Sequence, residues 1–196
     1  MLTQPSTAAG LVTVNGRIWQ DRNLSASVFR NGDTVPLISS NEEWELYGKN
    51  GLPASCWYRN DPQIGERYGR LYNWFAVNDP RGLAPEGFRI PSLVDWDDLI
   101  SDQGGAHIAG LRLKSNNEWN FHGCGNNVSR FSALPGGGRG ALGSFLDLGD
   151  YGNWWCSDTK SEAQAGFVFL SFINNRVSVR ADGFKASGLS VRCLAI

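Results

Sequence analysis

Apolar and polar residues alternate with a period of two in the last third of the chain. Residues 167–173 (FVFLSFI) form a largely apolar run, and residues 176–180 (RVSVR) alternate strictly. The polar dipeptide at positions 174–175 separates the two runs. This pattern predicts two antiparallel strands joined by a turn, followed by a last strand at 188–194.

The alternation also assigns side chains to faces of the predicted sheet. Successive side chains of a strand point to opposite faces, so Phe167, Phe169 and Ser171 share one face, while Val168, Leu170 and Phe172 share the other. If the first set faces outward beside Ser178 and Arg180, exposed aromatics lie next to an arginine. Those residue types anchor protein interfaces.

The first two thirds of the chain combine a hairpin with two predicted helices. Asn15-Gly16 is a strong two-residue turn signal, so residues 11–20 are predicted to form a β-hairpin. Residues 23–66 are interpreted as loops with short strands, such as 44–47, and 68–77 as a helix because its apolar residues are helically spaced.

The second helix has the clearest start signal. Ser92 and Asp95 stand in capping-box spacing, and the helix is expected to stop at Gly104-Gly105. Asp95, Asp97 and Asp98 are interpreted as favourable charges at the positive helix end rather than as metal ligands. Together these elements predict the α+β class, with two helices, antiparallel sheets and many loops.

Composition narrows the possible partners. The chain has 196 residues, including 24 glycines and 8 tryptophans, and a net charge of −1. That charge gives no reason to expect nucleic acid. No apolar run approaches the ~20 residues of a membrane helix, so no membrane insertion is expected. We predict a tail at 1–10, without a signal peptide in this chain, and a single domain at 11–196.

Aromatic and basic side chains are predicted to hold the core together. Trp19, Trp74 and Trp96 each lie on an apolar stripe and should be buried. Trp154 and Trp155 are adjacent, so one should point inward and the other outward. The glycine loop at 133–140 lacks the Lys-Ser/Thr of a phosphate-binding loop, and Arg139 is interpreted as a structural arginine.

The sequence offers little for catalysis or metal binding. There are two histidines and four cysteines, Cys56, Cys124, Cys156 and Cys193, and no pair has C-x-x-C spacing. No Gly-x-Ser-x-Gly motif is present. We therefore expect no enzyme, no cofactor and no metal. Disulfide pairing stays open, since one or two bridges could form in an oxidising compartment.

Several sequence blocks, in order, resemble the Fibrobacter succinogenes major paralogous domain family. Its members carry similar blocks that open on an Asn-Gln-x-Trp segment and close on Ser-Val-Arg-Cys. The blocks here are 14–24 (VNGRIWQDRNL), 68–76 (YGRLYNWFA), 85–92 (PEGFRIPS), 95–99 (DWDDL), 133–139 (ALPGGGR), 152–155 (GNWW) and 190–193 (SVRC).

The resemblance implies a C-type-lectin-like fold. It also implies similarity to formylglycine-generating enzymes and to the variable proteins of diversity-generating retroelements, whose C-terminal segment is rewritten at adenines to form a ligand-binding face. The calcium-dependent sugar motifs of lectins and the copper-binding cysteine pair of those enzymes have no match here, so neither chemistry is carried over.

The resemblance and the strand parity together give the function hypothesis, a non-enzymatic ligand- or receptor-binding protein with a variable face, on a virion or bacterial cell surface. The alternatives are a bacterial surface adhesion or assembly domain of the same family and, less favoured, an enzyme. The expected partner is a protein or surface ligand, and the oligomeric state stays open. The predicted ligand-binding residues are Ser157, Asp158, Phe167, Phe169, Ser171, Asn174, Arg176, Ser178, Arg180, Asp182 and Phe184.

Overall fold

The computed structural model describes residues 10–196 and confirms the α+β class, with five helices and three mostly antiparallel sheets. The helices are α1 (Asn41–Lys49), α2 (Pro62–Tyr68), α3 (Trp74–Val77), α4 (Leu93–Asp102) and α5 (Ala109–Leu113), with a 3₁₀ turn at Tyr58–Asn60. The strands are β1 (Leu11–Val14), β2 (Arg17–Gln20), β3 (Ser55–Cys56), β4 (Leu71–Tyr72), β5 (Phe88–Arg89), β6 (Gly136–Arg139), β7 (Phe145–Leu148), β8 (Tyr151–Thr159), β9 (Gln164–Ser171), β10 (Val177–Phe184) and β11 (Leu194–Ala195). Apart from Gly10, the predicted tail lies outside the described residues.

One sheet brings the two ends of the described chain together, in the order β1-β2-β11-β5. The predicted hairpin is confirmed, because β1 and β2 pair in register and both residues of the turn have positive φ, 47° at Asn15 and 76° at Gly16. Leu194 pairs with Trp19 on one side and with Arg89 on the other. The last strand therefore completes a sheet begun by the first two.

The second sheet has the order β10-β9-β8-β6-β7 and lies between two apolar clusters. Val168 and Leu170 of β9 belong to the cluster that contains Trp96. Phe167, from the same strand, packs against the cluster that contains Trp74. The alternation predicted for this strand is confirmed, and apolar side chains pack against both faces of the sheet.

Helix α4 begins where the sequence predicts. Ser92 Oγ accepts from the backbone N–H of Asp95, whose carboxylate accepts from the backbone N–H of Ser92 at 2.7 Å, so the capping box is complete. Arg89 and Arg17 also bind this carboxylate. The hydrogen-bonded guanidinium of Arg89 holds the pKa of Asp95 well below its usual range. The first acidic residue of the helix is thus a structural anchor.

Four local predictions are wrong. The predicted last strand at 188–194 is not continuous, because residues 188–190 form only isolated bridges and β11 begins at Leu194. The predicted helix 68–77 is interrupted, because Tyr68 ends α2, Gly69 has φ +79° and Leu71–Tyr72 form β4, which pairs with β3; helix resumes only at Trp74–Val77. The predicted strand at 44–47 lies inside α1, which begins after its cap Ser40 and buries Trp44. The predicted loop at 133–140 contains β6, whose register against β7 and β8 depends on distant residues.

The tryptophan predictions are mostly confirmed. Trp19, Trp74 and Trp96 are buried, at 0%, 4% and 1% exposure. Trp154 and Trp155 point to opposite sides of β8, but neither reaches solvent. The indole N–H of Trp155 donates to the carbonyl oxygen of Tyr72 at 2.8 Å. A second layer of chain therefore covers Trp155, so neither of the two tryptophans faces solvent.

Three buried cations hold distant loops together through carbonyl oxygens. Lys114 Nζ donates to the carbonyls of Gly123, Ser171 and Asn174. Arg139 donates to four carbonyl oxygens and to the side-chain oxygen of Asn41, which confirms its structural role. Arg192 donates to two carbonyls and one side-chain amide oxygen. Such oxygen ligands offset the cost of removing a cation from water.

None of the helices within residues 10–196 is long and apolar enough to cross a membrane.

Candidate functional site

The register of the β9–β10 hairpin places four predicted site residues on one face. Phe167 pairs with Arg180, and Phe169 pairs with Ser178. Residues directly opposed in an antiparallel pair lie on the same face of the sheet. The two phenylalanines are half-buried and Arg180 is exposed. The parity argument therefore holds for the central part of the hairpin.

The aromatic side chains on this face form a continuous row. The ring centroids of Phe167 and Phe169 lie 6.0 Å apart with an interplanar angle of 23°. Tyr151 lies 6.1 Å from Phe169, and Trp155 lies 6.3 Å from Phe167. Trp155 is fully buried, whereas Tyr151 and the two phenylalanines are half-buried. The row is buried at the Trp155 end and partly accessible along the rest.

Two residues of this face do not appear among the predicted site residues. Tyr151 and Asn153 of β8 pair with Ser171 and Phe169 of β9, so they share the face. Alternation along β8 puts both residues on the same side as Trp155. Only the register of β8 against β9 shows that this side also carries Phe167 and Phe169. We call the set Tyr151, Asn153, Phe167, Phe169, Ser178 and Arg180 the aromatic face.

The aromatic face carries one ion pair at its rim. Arg180 binds Asp182 through two hydrogen bonds, with Nε 3.1 Å from Oδ1. Arg180 lowers the pKa of Asp182 through the hydrogen bond and its charge, so the pair is ionised at neutral pH. The side chain of Arg180 remains 54% exposed. The guanidinium is thus held in place and still accessible to a ligand.

Phe184 does not belong to this face, which corrects the prediction. The register changes between Arg180 and Gly183, where one extra residue forms a β-bulge, and Phe184 consequently pairs with Gln164. An inserted residue reverses the alternation beyond it, so Phe184 lies on the side opposite Phe167. It is 61% exposed there.

Asp158 and Ser171 have structural roles, so their prediction as ligand-binding residues is not supported by their contacts. Asp158 accepts a hydrogen bond from the backbone N–H of Leu93 at 2.7 Å and thereby caps α4. Ser171 is 6% exposed, contrary to the predicted solvent-facing position, and its hydroxyl accepts from the backbone N–H of Ile173. Ser157 is exposed on β8 near Asp158.

Asn174 and Arg176 lie in the loop between β9 and β10, where both are exposed. The Asn174 side-chain oxygen accepts from the backbone N–H of Arg176 at 2.9 Å. The carbonyl oxygen of Asn174 accepts from Lys114. The loop is therefore held by contacts at its base while its polar side chains face solvent.

Metal ligands and reactive thiols do not collect at this face. Among residues 10–196, no group of three or more His, Cys, Asp or Glu side chains could hold a metal ion. All four cysteines are free, and three of them are buried. Burial raises the pKa of Cys56 to about 11 and that of Cys193 to about 12. These thiols are protonated at neutral pH.

An open concavity of about 340 Å³ lies away from the predicted site residues. Its wall includes Phe29, Leu83 and Pro85. Arg30 also lines it, but this guanidinium donates to the carbonyl oxygens of Ala84 and Phe88, both at 2.7 Å. Its one basic group is thus engaged in holding the wall together.

Comparison with known proteins identifies one relation. The family model described as the Fibrobacter succinogenes major domain matches residues 12–195. No curated protein and no solved structure matches the chain.

Proposed function

The chain belongs to the Fibrobacter succinogenes major domain family, and on that premise we propose that it is a non-enzymatic ligand-binding protein whose binding surface is the aromatic face. The observation that carries the proposal is the stacked, half-exposed pair Phe167 and Phe169 beside the exposed Arg180. Aromatic and arginine side chains dominate the binding energy of protein interfaces. The expected ligand is therefore a protein or another component of a cell surface.

A binding role fits the face better than catalysis does. The aromatic face contains no histidine, cysteine, lysine or unpaired carboxylate to act as a base or nucleophile. The carboxylate at its rim, on Asp182, is engaged by Arg180. Neither a metal nor a cofactor is part of the proposal.

The proposal includes a C-type-lectin-like scaffold whose face is diversified by a retroelement and displayed on a virion or a bacterial cell surface. The α+β architecture is compatible with that scaffold. Diversification should then spare residues with structural contacts. We expect variation at Phe167, Phe169 and Arg180, but not at Asp158 or Ser171, because the last two cap a helix and a strand end.

Sequencing the gene's surroundings tests the diversification. We expect a reverse-transcriptase gene nearby and a template copy of the segment for residues 150–193 that differs only at adenines. If the locus contains neither the reverse-transcriptase gene nor the template copy, diversification is ruled out, and ligand binding is then judged on its own.

Binding measurements with matched variants test the face itself. The labelled protein would be applied to an array of purified bacterial surface proteins and polysaccharides. Phe169→Ser and Arg180→Ser should each weaken a wild-type interaction by about 2 kcal/mol or more. Arg22→Ser is the matched control, because Arg22 is 50% exposed and also pairs with a nearby aspartate, Asp21. Phe184→Ser controls for loss of an exposed aromatic ring, since Phe184 is 61% exposed on the side of the sheet opposite the aromatic face.

The face is excluded as the binding surface if the control variants weaken each interaction as much as the two test variants do.

A second candidate function, adhesion or assembly at a bacterial surface, is favoured by an apolar tip beside the β9–β10 loop. The rings of Phe121 and Phe172 pack at a tilt with centroids 5.5 Å apart, and Ile173 is 68% exposed. Self-association through this tip would make the oligomeric state depend on concentration. Sedimentation of wild type and of Ile173→Ser decides it, because assembly predicts a larger species that the variant loses.

A further inference from the structure

The chain contains three asparagines that are followed directly by glycine, Asn15, Asn31 and Asn50. An asparagine in this position can lose its side-chain amide without an enzyme, because glycine has no Cβ to shield the backbone nitrogen that attacks the amide. The reaction needs a free backbone N–H on the glycine and a side-chain amide that can turn toward it. Of the three asparagines, Asn15 alone meets both conditions in the structure.

Asn15 is the first of the two residues in the β1–β2 turn, and it is exposed. Within residues 10–196, its side chain forms no hydrogen bond, and the backbone N–H of Gly16 has no acceptor. A Cβ added to Gly16 would have no atom within 4 Å. The turn therefore projects into open space, and rotation of this turn alone brings the nitrogen to the amide.

Asn31 lies in a turn in which both reacting groups are engaged. Its side-chain oxygen accepts from the backbone N–H of Asp33, and its amide donates to the Asp33 carboxylate, both at 3.0 Å. The backbone N–H of Gly32 donates to the carbonyl oxygen of Phe29 at 2.9 Å. Three hydrogen bonds must therefore break before the Gly32 nitrogen can attack the amide.

Asn50 follows the last residue of α1 and is held in a similar way. Its amide donates to the carbonyl oxygen of Leu46 at 2.8 Å, and its backbone N–H donates to the same oxygen at 3.1 Å. The backbone N–H of Gly51 donates to the carbonyl oxygen of Gly48 at 3.3 Å. Attack at Asn50 thus requires the end of the helix to open, whereas attack at Asn15 breaks no side-chain hydrogen bond.

We propose that Asn15 is a site of spontaneous deamidation. The Gly16 nitrogen attacks the side-chain carbon Cγ of Asn15, a C–N bond forms, and ammonia leaves with the proton of the Gly16 N–H. The product is a cyclic imide. Water then breaks one of the two bonds between a carbonyl carbon and the ring nitrogen. One cleavage yields aspartate, and the other yields isoaspartate, in which the main chain runs through the former side chain.

The two products should affect the hairpin differently. Both place a carboxylate two residues from Arg17, whose guanidinium binds Asp95 and Asp98. Isoaspartate also inserts an additional carbon atom into the main chain of the turn, directly beside the paired residues Val14 and Arg17. Two-residue hairpin turns depend on a fixed backbone geometry. Isoaspartate should therefore disturb the pairing of β1 with β2, whereas aspartate should not.

Peptide mapping of the folded protein during storage at pH 8 tests the proposal. Trypsin cleaves after lysine and arginine, so each Asn-Gly pair lies on a separate peptide. In the folded protein we expect Asn15 to deamidate about tenfold faster than Asn31 or Asn50, because their hydrogen bonds must break first. In urea the three rates should converge, since glycine follows each asparagine. The aspartyl and isoaspartyl forms of a peptide have equal mass and are separated by chromatography.

Asn15→Asp is the matched variant, because it carries the new charge without the lengthened main chain and has no amide to lose at this position. Stored wild-type protein that has accumulated isoaspartate should unfold at a lower Tm than this variant. Equal Tm values would contradict the disturbed hairpin.

The proposal is overturned if Asn31 or Asn50 deamidates as fast as Asn15 in the folded protein. It is also overturned if Asn15 stays intact in the folded protein for as long as the urea-unfolded chain takes to convert.

Discussion

Lys114 Nζ donates to the carbonyl oxygen of Ser171 at 2.6 Å, which joins the end of α5 to the end of β9. The same ammonium binds Asn174 and Gly123 and lies 4.8 Å from the ring of Trp119. One buried side chain thus fixes the base of the β9–β10 loop. The aromatic face is presented on strands whose turn cannot easily shift.

Replacing Lys114 by methionine should destabilise the protein by about 3 kcal/mol or more. The methionine fills a similar volume but leaves three carbonyl oxygens without a donor, and each buried unpaired group costs about 1–3 kcal/mol. Urea unfolding followed by tryptophan fluorescence measures the change. Lys49→Met is the control, because Lys49 is 68% exposed on α1 and forms only a surface ion pair. Equal unfolding midpoints for the two variants would show that the three hydrogen bonds contribute nothing.

Asp95→Asn should cost about 2 kcal/mol at pH 7, and the cost should shrink in acid. The carboxylate binds two arginines that are themselves about 40% exposed, so the loss is smaller than for a fully buried pair. Because the folded pKa of Asp95 is lowered, its contribution is complete above the unfolded pKa of about 3.9 and is lost as the pH falls toward the folded pKa. Urea unfolding at pH 7, 5 and 3 measures the difference between variant and wild type.

Asp98→Asn provides the comparison for that experiment. Asp98 is 47% exposed and binds only Arg17, so its replacement should change stability by less than about 0.5 kcal/mol. A difference between wild type and Asp95→Asn that is as large at pH 3 as at pH 7 would contradict the lowered pKa.

Serine substitutions on the aromatic face should both weaken binding, but they should differ in how much they lower the stability of the fold. Arg180→Ser removes an exposed guanidinium and should lower Tm by less than about 2 °C. Phe169→Ser removes a half-buried ring that stacks on Phe167 and packs at a tilt against Tyr151, and it should cost about 1–2 kcal/mol. Calorimetry of both variants checks that Phe169→Ser lowers Tm more than Arg180→Ser does. A larger Tm loss for Arg180→Ser would mean that the ion pair with Asp182 supports the hairpin.

Thiol labelling should distinguish one cysteine from the other three. Cys124 is half-buried, whereas Cys56, Cys156 and Cys193 are buried and have raised pKa values because of desolvation. The thiolate is the reactive form. At pH 8 a thiol-specific reagent should label one site in the folded protein and four in urea. Cys124→Ser should abolish rapid labelling, and persistent labelling of that variant would show that a buried thiol opens readily.

The sequence predicts best where local chemistry and tertiary packing agree. The Asn15-Gly16 turn, the capping box at Ser92 and the alternation around Val168 each depend on neighbouring residues alone, and each is found in the structure. The helical spacing at 68–77 failed because Tyr72 hydrogen-bonds with Leu189, far away in sequence, and forms a strand instead. Long-range pairing overrode the local pattern there.

Long-range pairing also limits what the sequence predicts for single residues of the candidate site. Alternation gave the correct face for Phe167, Phe169 and Arg180, but it could not foresee the bulge before Gly183 that turns Phe184 away. Asp158 also could not be recognised as a helix cap, because its partner Leu93 is 65 residues distant. Both errors arise because the sequence alone does not give the register between strands or the contacts between distant segments, which only the folded structure defines.

The position of β11 between β2 and β5 has a consequence for how the protein is made. Val191, Arg192, Cys193 and Leu194 are all buried, and Leu194 pairs with residues more than a hundred positions earlier. On a translating ribosome, the first hairpin and β5 emerge long before the strand that must lie between them. Folding of the first sheet therefore waits for residues 191–195, and a chain that stopped short of them would leave both apolar clusters open to solvent.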